Sequence, residues 1–416
     1  MLEHNIVVIG GGPAGMAAAV AAYDSGERDV VILDRDEALG GILKQCIHNG
    51  FGLHKLGKEL TGPEYAAAYE AQVRERNIKV YHETTVTEVT PEKLVTAHHR
   101  GGLLKIQAKA VILAMGCRER SRGALNICGT RPAGVFSAGC AQKLINCEGY
   151  LPGKKVVILG SGDIGLIMAR RMTLGGAKVE AVCEIMPYSG GLTRNIVQCL
   201  EDFGIPLYLS HTVAQIHGQD RVEGVTIAEV DERRRVKPET ARYIECDTLL
   251  LSVGLIPENE LTRAAGIPID PITNGAIVNE RRETEIPGIF ACGNVLQVHD
   301  LVDFVSEEAE IAGRGAAEFV RGATKSAQVV CTRAGDGVRY VLPQAIDKAA
   351  KDEVPLFLRV TEPQGKVRIV AKSGEETLLS QVRLRVAPGE MEQITLKPEW
   401  IENAKGDITV SLEVAK

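Results

Sequence analysis

Two glycine-rich turns, each set between an apolar run and a helix-like segment, constrain this chain more than any other feature. The first, Gly10-Gly11-Gly12-Pro13-Ala14-Gly15, follows Asn5–Ile9; the second, Gly160-Ser161-Gly162-Asp163-Ile164-Gly165, follows Lys155–Leu159. Each reads as a strand, a tight turn and a helix start. In such a turn the first glycine permits the bend, the second lets backbone approach a pyrophosphate, and the third lets helix and strand pack closely. The helix N-terminus then faces the phosphate charge. About twenty residues beyond each turn, a further apolar run ends in an acid, Val30-Val31-Ile32-Leu33-Asp34 and Val179-Glu180-Ala181-Val182-Cys183-Glu184. That spacing suits a carboxylate that accepts from a ribose hydroxyl, although strand-end acids also cap turns. Glu184 disfavours a 2′-phosphate, and Ile185-Met186-Pro187-Tyr188-Ser189 supplies no arginine to receive one, so NAD(H) is expected over NADP(H).

Composition fits an enzyme. The 416 residues are enough for several domains with sizeable cores. A formal net charge of -6 argues against nucleic acid and against an anionic membrane surface as partner. The apolar stretch from Asn5 to Tyr23 begins beside Glu3 and contains the glycine turn, so it reads as strand, loop and helix, with no signal peptide or membrane span expected. Ten cysteines are dispersed with no CxxC pair, which points to a reduced, cytoplasmic protein.

Residues 1–116 alternate strand and helix patterns and close on Ala110-Val111-Ile112-Leu113-Ala114-Met115-Gly116. The second nucleotide unit spans 117–245. Residues 246–323 read as a return to the first domain, with strands at Thr248–Gly254 and Ile286–Asn294 and a helix from Leu301 to Arg321. Beyond residue 326 the pattern alternates apolar and polar residues at 367–370, 382–386 and 408–414, which predicts a small β-rich, sandwich-like domain. It carries no glycine loop, metal-spaced cysteines or paired acids, and reads as a packing or docking module. The fold class is therefore α/β, with two Rossmann-like domains and a C-terminal β-rich one.

These motifs resemble the flavoproteins with two dinucleotide-binding domains, in which an FAD domain is interrupted by an NAD(P)H domain. The likeness also rests on Gly40-Gly41, on Thr61-Gly62-Pro63-Glu64-Tyr65 and on Thr284–Asn294, where Asn294 stands in place of the usual aspartate. Asparagine can still accept a ribityl hydroxyl through its carbonyl. The resemblance implies FAD contacts at Gly10, Gly12, Pro13, Ala14, Gly15, Asp34, Arg35, Gly41, Val86, Ala114, Gly116, Gly293 and Asn294. It implies NAD contacts at Gly160, Gly162, Asp163, Ile164, Gly165, Glu184 and Gly254. Within that family, Gly40–Gly52, Gly129–Phe136 and Glu148–Gly153 are similar to the FAD subunits of opine and cyanide-forming amino-acid oxidoreductases, and to flavoproteins that accompany anaerobic glycerol-3-phosphate dehydrogenases. Such proteins act with a partner dehydrogenase or an iron–sulfur electron-transfer subunit. Cys331 is the only cysteine after Cys292, so any iron–sulfur centre is expected on a partner.

Disulfide reductases of this fold need two thiols at fixed spacing. Cys46 has no second cysteine four residues on, and Ala138 and Ala141 flank Cys140 where a thioredoxin-reductase-like pair would align. A single Cys46 could act as a peroxide- or persulfide-reducing thiol, or be a small core residue. His48 in the same segment could shuttle a proton or simply hydrogen-bond backbone. The expected function is an FAD-dependent, NAD(H)-linked oxidoreductase passing electrons between nicotinamide and a partner subunit or carrier. The rivals are a self-contained reductase using Cys46 and an assembly module acting through the tail; a homo-oligomer is left open, and no metal is expected.

Overall fold

The computed structural model describes residues 1–323 and 328–415, and the chain forms two units: Met1–Cys117 with Pro257–Lys416, and Arg118–Ile256. The first begins with β1 (Leu2–Ile9), α1 (Pro13–Asp24) and β2 (Val30–Leu33). A strand paired on both edges has layers on both faces, which is why Ile6, Val7 and Val8 are all fully buried. Ile6 lies opposite Val30 on one side and Ala110 on the other. A capping box between Thr61 and Glu64 starts α2 (Gly62–Glu75), which leads to β3 (Lys79–Tyr81). The meander β4 (Thr85–Val89), β5 (Leu94–His99) and β6 (Gly102–Leu113) completes the sheet in the order β3-β2-β1-β6-β5-β4.

The second unit has its own parallel sheet. It runs through β7 (Val135–Ser137), α3 (Ala138–Asn146), β8 (Lys155–Leu159), α4 (Asp163–Leu174), β9 (Lys178–Glu184) and β10 (Leu207–Leu209). An antiparallel ribbon follows, β11 (His211–His217), β12 (Gly224–Glu229) and β13 (Arg242–Glu245), and then β14 (Thr248–Leu251). The parallel order is β7-β14-β8-β9-β10. The strand at 248–251 thus differs from its sequence reading: it pairs with β8, Ile158 opposite Leu250, and belongs to the inserted unit. Its four consecutive buried residues suit a central parallel strand in either unit, so only the pairing decides.

On its return the chain adds β15 (Ile289–Ala291) alongside β6, and α5 (Val302–Val320) packs on α1. Alanines on both helices allow close approach; a Cβ on Gly313 would sit 2.2 Å from the Ala18 carbonyl oxygen. No helix among the described residues is long and apolar enough to cross a membrane.

The tail is a two-sheet sandwich; residue 326, its expected start, lies outside the described residues. One sheet holds β16 (Val329–Ala334), β18 (Ala345–Asp347), β20 (Val367–Ser373), β21 (Glu376–Arg383) and β23 (Ile408–Val414); the other holds β17 (Val338–Leu342), β19 (Val354–Val360) and β22 (Glu392–Leu396). Leu356, Leu358 and Ile394 from one sheet and Ile369, Ile408 and Val410 from the other share one core. The strand expected at 382–386 is instead 376–383. The tight turn at Gly374, with φ of 59°, sets Ser373 opposite Glu376 and so fixes where the hairpin begins.

Candidate functional site

The two glycine turns are built alike, and each glycine has a distinct reason for lacking a side chain. Gly10 and Gly160 have φ of 105° and 103°, and a Cβ there would lie 2.4 Å from the Ala114 carbonyl oxygen and 1.9 Å from that of Ser252. Gly15 and Gly165 are packing glycines, their Cβ positions 1.7 and 2.5 Å from the carbonyl oxygens of Gly10 and Gly160. A Cβ on Gly12 or Gly162 would meet nothing within 4 Å. The missing side chain there serves no contact inside the protein; it leaves a cradle above a helix start. Gly12 and Gly162 are also the N-caps of α1 and α4 and make no side-chain caps. First-turn amides facing open space are the donors a pyrophosphate requires, so both cradles fit a dinucleotide.

Both strand-end acids clamp their own turn. Asp34 accepts from the Gly11 amide through one carboxylate oxygen and from the Asp36 amide, at 2.7 Å, through the other. Burial pushes the Asp34 carboxyl above its ordinary range, against the pull of those amides. Glu184 accepts from the amide and hydroxyl of Ser161 with one oxygen and from the Met186 amide with the other. The carboxylates therefore order the loops.

Around the first cradle, Gly41, with φ of 53°, would place a Cβ 3.2 Å from the Gly12 Cα, and a Gly293 Cβ would lie 2.7 Å from that of Ala14. The structure thus gathers Gly10, Gly12, Pro13, Ala14, Gly15, Asp34, Gly41, Ala114 and Gly293. Gly116, φ 74°, lies just past β6, and its carbonyl accepts from the Glu258 amide. Arg35 is exposed beside Asp34. Val86 lies on β4 at the sheet edge, opposite Ala97. Asn294 differs from expectation: its carbonyl already accepts from the His299 amide at 3.0 Å, with the His299 Nδ1 at 3.3 Å, so its NH2 group is the end left to donate, toward Cys117 Sγ at 3.6 Å.

Beneath Gly293 lies a buried polar cluster that sequence reasoning missed. Glu308 of α5, fully buried, accepts from the Gly293 amide at 3.1 Å, from Gln297 Nε2 at 2.8 Å and from Arg282 Nε at 3.3 Å. His299 Nε2 lies 3.4 Å from the same carboxylate, yet burial holds this imidazole below its usual pKa. A glutamate at 308 in an otherwise small-residue stripe was the available signal.

Cys46 follows the short helix Gly41–Gln45, and its thiol donates to the Ile42 carbonyl at 3.4 Å. His48 Nδ1 lies 3.1 Å from the Asn49 carbonyl oxygen, and its ring lies 5.0 Å from that of Phe51. No disulfide forms among the described residues.

In the second unit, Asp163 turns away from the cradle to accept from the Leu192 amide at 2.9 Å and Asn195 Nδ2 at 2.6 Å. Ile164 packs on the unit's core, and Gly254, with φ of 101°, faces open space. The 189–195 segment folds back over Ser161 and Asp163 and brings the exposed Arg194 to this end of the sheet, an arginine that the run after Glu184 did not suggest. A cavity of about 330 Å³, lined by Glu119, Arg122, Ser137, Cys140 and Leu251, lies at the carboxyl ends of β7 and β14. That edge of a parallel sheet is where α/β proteins receive ligands.

Comparison with known proteins matches this architecture. A family model described as pyridine nucleotide-disulphide oxidoreductase matches residues 4–327, leaving the tail outside the match. Mitochondrial dihydrolipoyl dehydrogenase of Caenorhabditis elegans is 27% identical over 76% of this chain and 68% of its own length. An opine oxidase subunit of Agrobacterium tumefaciens is 25% identical over 76% of this chain and 64% of its own length. The crystal structure of T. acidophilum thioredoxin reductase aligns with a TM-score of 0.62 at 24% identity, over 76% of this chain and 99% of that one, a likeness of fold. The chain spans about two thirds of the length of these two curated relatives.

Proposed function

The chain belongs to the pyridine nucleotide-disulphide oxidoreductase family, whose cofactors are FAD and NAD(P)H, and from that premise we propose that it oxidises NADH and delivers the electrons to a partner subunit or carrier. The observation that carries the reading is the pair of matched cradles, each with an open middle glycine and a clamping acid, without a paired-cysteine motif to make a dithiol reductase. The opine oxidase relative is by its name one part of a larger assembly, which supports the choice of a partner as acceptor.

FAD and nicotinamide, when bound, supply the hydride chemistry; the protein supplies alignment and electrostatics. The Gly10–Gly15 turn and Asp34 would hold FAD, and Asn294 would present its NH2 group to it. The Gly160–Gly165 turn and Glu184 would hold NADH. The N-terminus of α5 carries a positive partial charge, but Asp303 in its first turn, 1% exposed, opposes that dipole. Anaerobic mixing of the FAD-loaded protein with NADH tests the reading. Bleaching of the flavin followed by re-oxidation with a one-electron dye supports it, whereas a flavin that NADH leaves oxidised refutes it.

A further inference from the structure

The tail sends two chain segments to a single residue of the loop that links Asn294 to α5. Asp300, in that loop, pairs with Arg359 of β19, and both side chains are largely buried, at 12% and 14% exposure. The second Asp300 oxygen accepts from the Met391 amide at 2.5 Å. Arg359 also donates to the Val298 carbonyl at 2.9 Å and, through Nη1, to the Pro388 carbonyl at 2.9 Å. Two residues before Arg359, the Phe357 ring lies 6.1 Å from that of His299 and 6.3 Å from that of Phe304 in the first turn of α5. The Arg282 guanidinium, whose Nε reaches Glu308, lies 5.6 Å from the same ring.

We propose that the tail is a working part of the flavin site: Arg359, acting through Asp300 and His299, is a positioning residue that holds Asn294 ready to donate to FAD. The coupling is short. Arg359 fixes Asp300 and the Val298 carbonyl; the intervening His299 orients Asn294 through its backbone amide; Asn294 adjoins Gly293 at the first cradle. Without Arg359, Asp300 is a buried carboxylate held by a single amide, and such a charge is costly enough to drive the loop open to water. Opening the loop withdraws the His299 amide from Asn294 and with it the donor offered to FAD, so the tail controls how tightly FAD is held and the potential at which it is reduced. This inference rests on the FAD assignment above but not on any electron acceptor.

The test uses the full chain. FAD affinity is titrated by quenching of flavin fluorescence, and the midpoint potential of the bound flavin is measured by dye equilibration. Trp400, the only tryptophan, packs on the tail core and reports whether the tail stays folded. Arg359→Met is expected to weaken FAD binding at least tenfold and to shift the potential, with Trp400 emission unchanged. Asp300→Asn should remove most of the effect of Arg359→Met in the double variant, because the uncompensated charge is gone. Arg359→Lys, which keeps the charge but cannot span Asp300, Val298 and Pro388 together, should fall between. If Arg359→Met disturbs Trp400, Arg359→Lys decides in the same assays. Wild-type affinity and potential in variants with an intact tail would overturn the proposal and leave the tail a packing module. A wild type that binds no FAD would instead overturn the function proposed above.

Discussion

Glu184 Oε2 accepts two hydrogen bonds from Ser161, one from the backbone amide at 2.9 Å and one from the hydroxyl at 2.8 Å. The carboxylate is therefore fixed in place before any ribose arrives, and a 2′-phosphate would meet a charge that cannot swing aside. NADH should reduce the flavin about tenfold or more faster than NADPH, corresponding to roughly 1.4 kcal/mol or more. Stopped-flow bleaching with each nucleotide measures this, and Glu184→Gln should narrow the gap. A preference for NADPH that disappears in Arg194→Ala would show that the folded-back arginine governs the choice instead.

Gly12 and Gly15 lie three residues apart and should fail in opposite ways. Gly12→Val puts methyl groups into open space above α1, so the protein should fold normally and lose FAD. Gly15→Ala drives a Cβ into the Gly10 carbonyl and should cost about 1–3 kcal/mol of stability. Flavin content and thermal melting, measured on both variants, separate the two. Normal flavin content in Gly12→Val would refute the first cradle as the FAD site.

Cys46→Ser should leave NADH-driven flavin reduction and transfer to a one-electron dye nearly unchanged. A redox thiol would act only after the flavin is reduced, so loss of peroxide or persulfide turnover with intact bleaching would favour the reductase reading.

His299 makes stability pH-dependent in a defined direction. Burial depresses its pKa below the ordinary 6.5 despite Glu308 and Asp300, with Arg359 adding to the depression. The unfolded chain takes up a proton near pH 6.5 while the folded chain does not, so stability falls as pH drops through that value. One such group contributes at most about 1.4 kcal/mol per pH unit. Chemical denaturation at pH 7.5 and 5.5 should show the loss in the wild type and a shallower slope in His299→Gln; equal slopes would count against a neutral buried imidazole.

The sequence made the local machinery legible and the long-range polar contacts invisible. Gly10, Gly12, Gly15 and their counterparts at 160–165 carry their roles in their spacing, because a strand, a turn and a helix are set by neighbouring residues. The helix expected from Leu301 to Arg321 forms over 302–320 for the same reason. Asp300 and Arg359, by contrast, are 59 positions apart, and no periodicity links an acid in a loop to an arginine on a strand of another layer. The pairing of 248–251 escaped for a related reason: a run such as Leu249–Leu251 records that its strand is central but not which sheet it is central to. Asn294 is recognisable as a substitution, yet the direction of its hydrogen bonds depends on His299, five residues along a loop whose course only the fold determines.

Strand β23 lies in the middle of its sheet, between β16 and β20. Its residues, 408–414, are made some ninety positions after α5 ends, so a chain leaving the ribosome can complete both glycine cradles well before this sheet can close. The order of synthesis thus separates the two events: a chain that stops before residue 408 would carry both cradles without the strand that closes the tail's sheet.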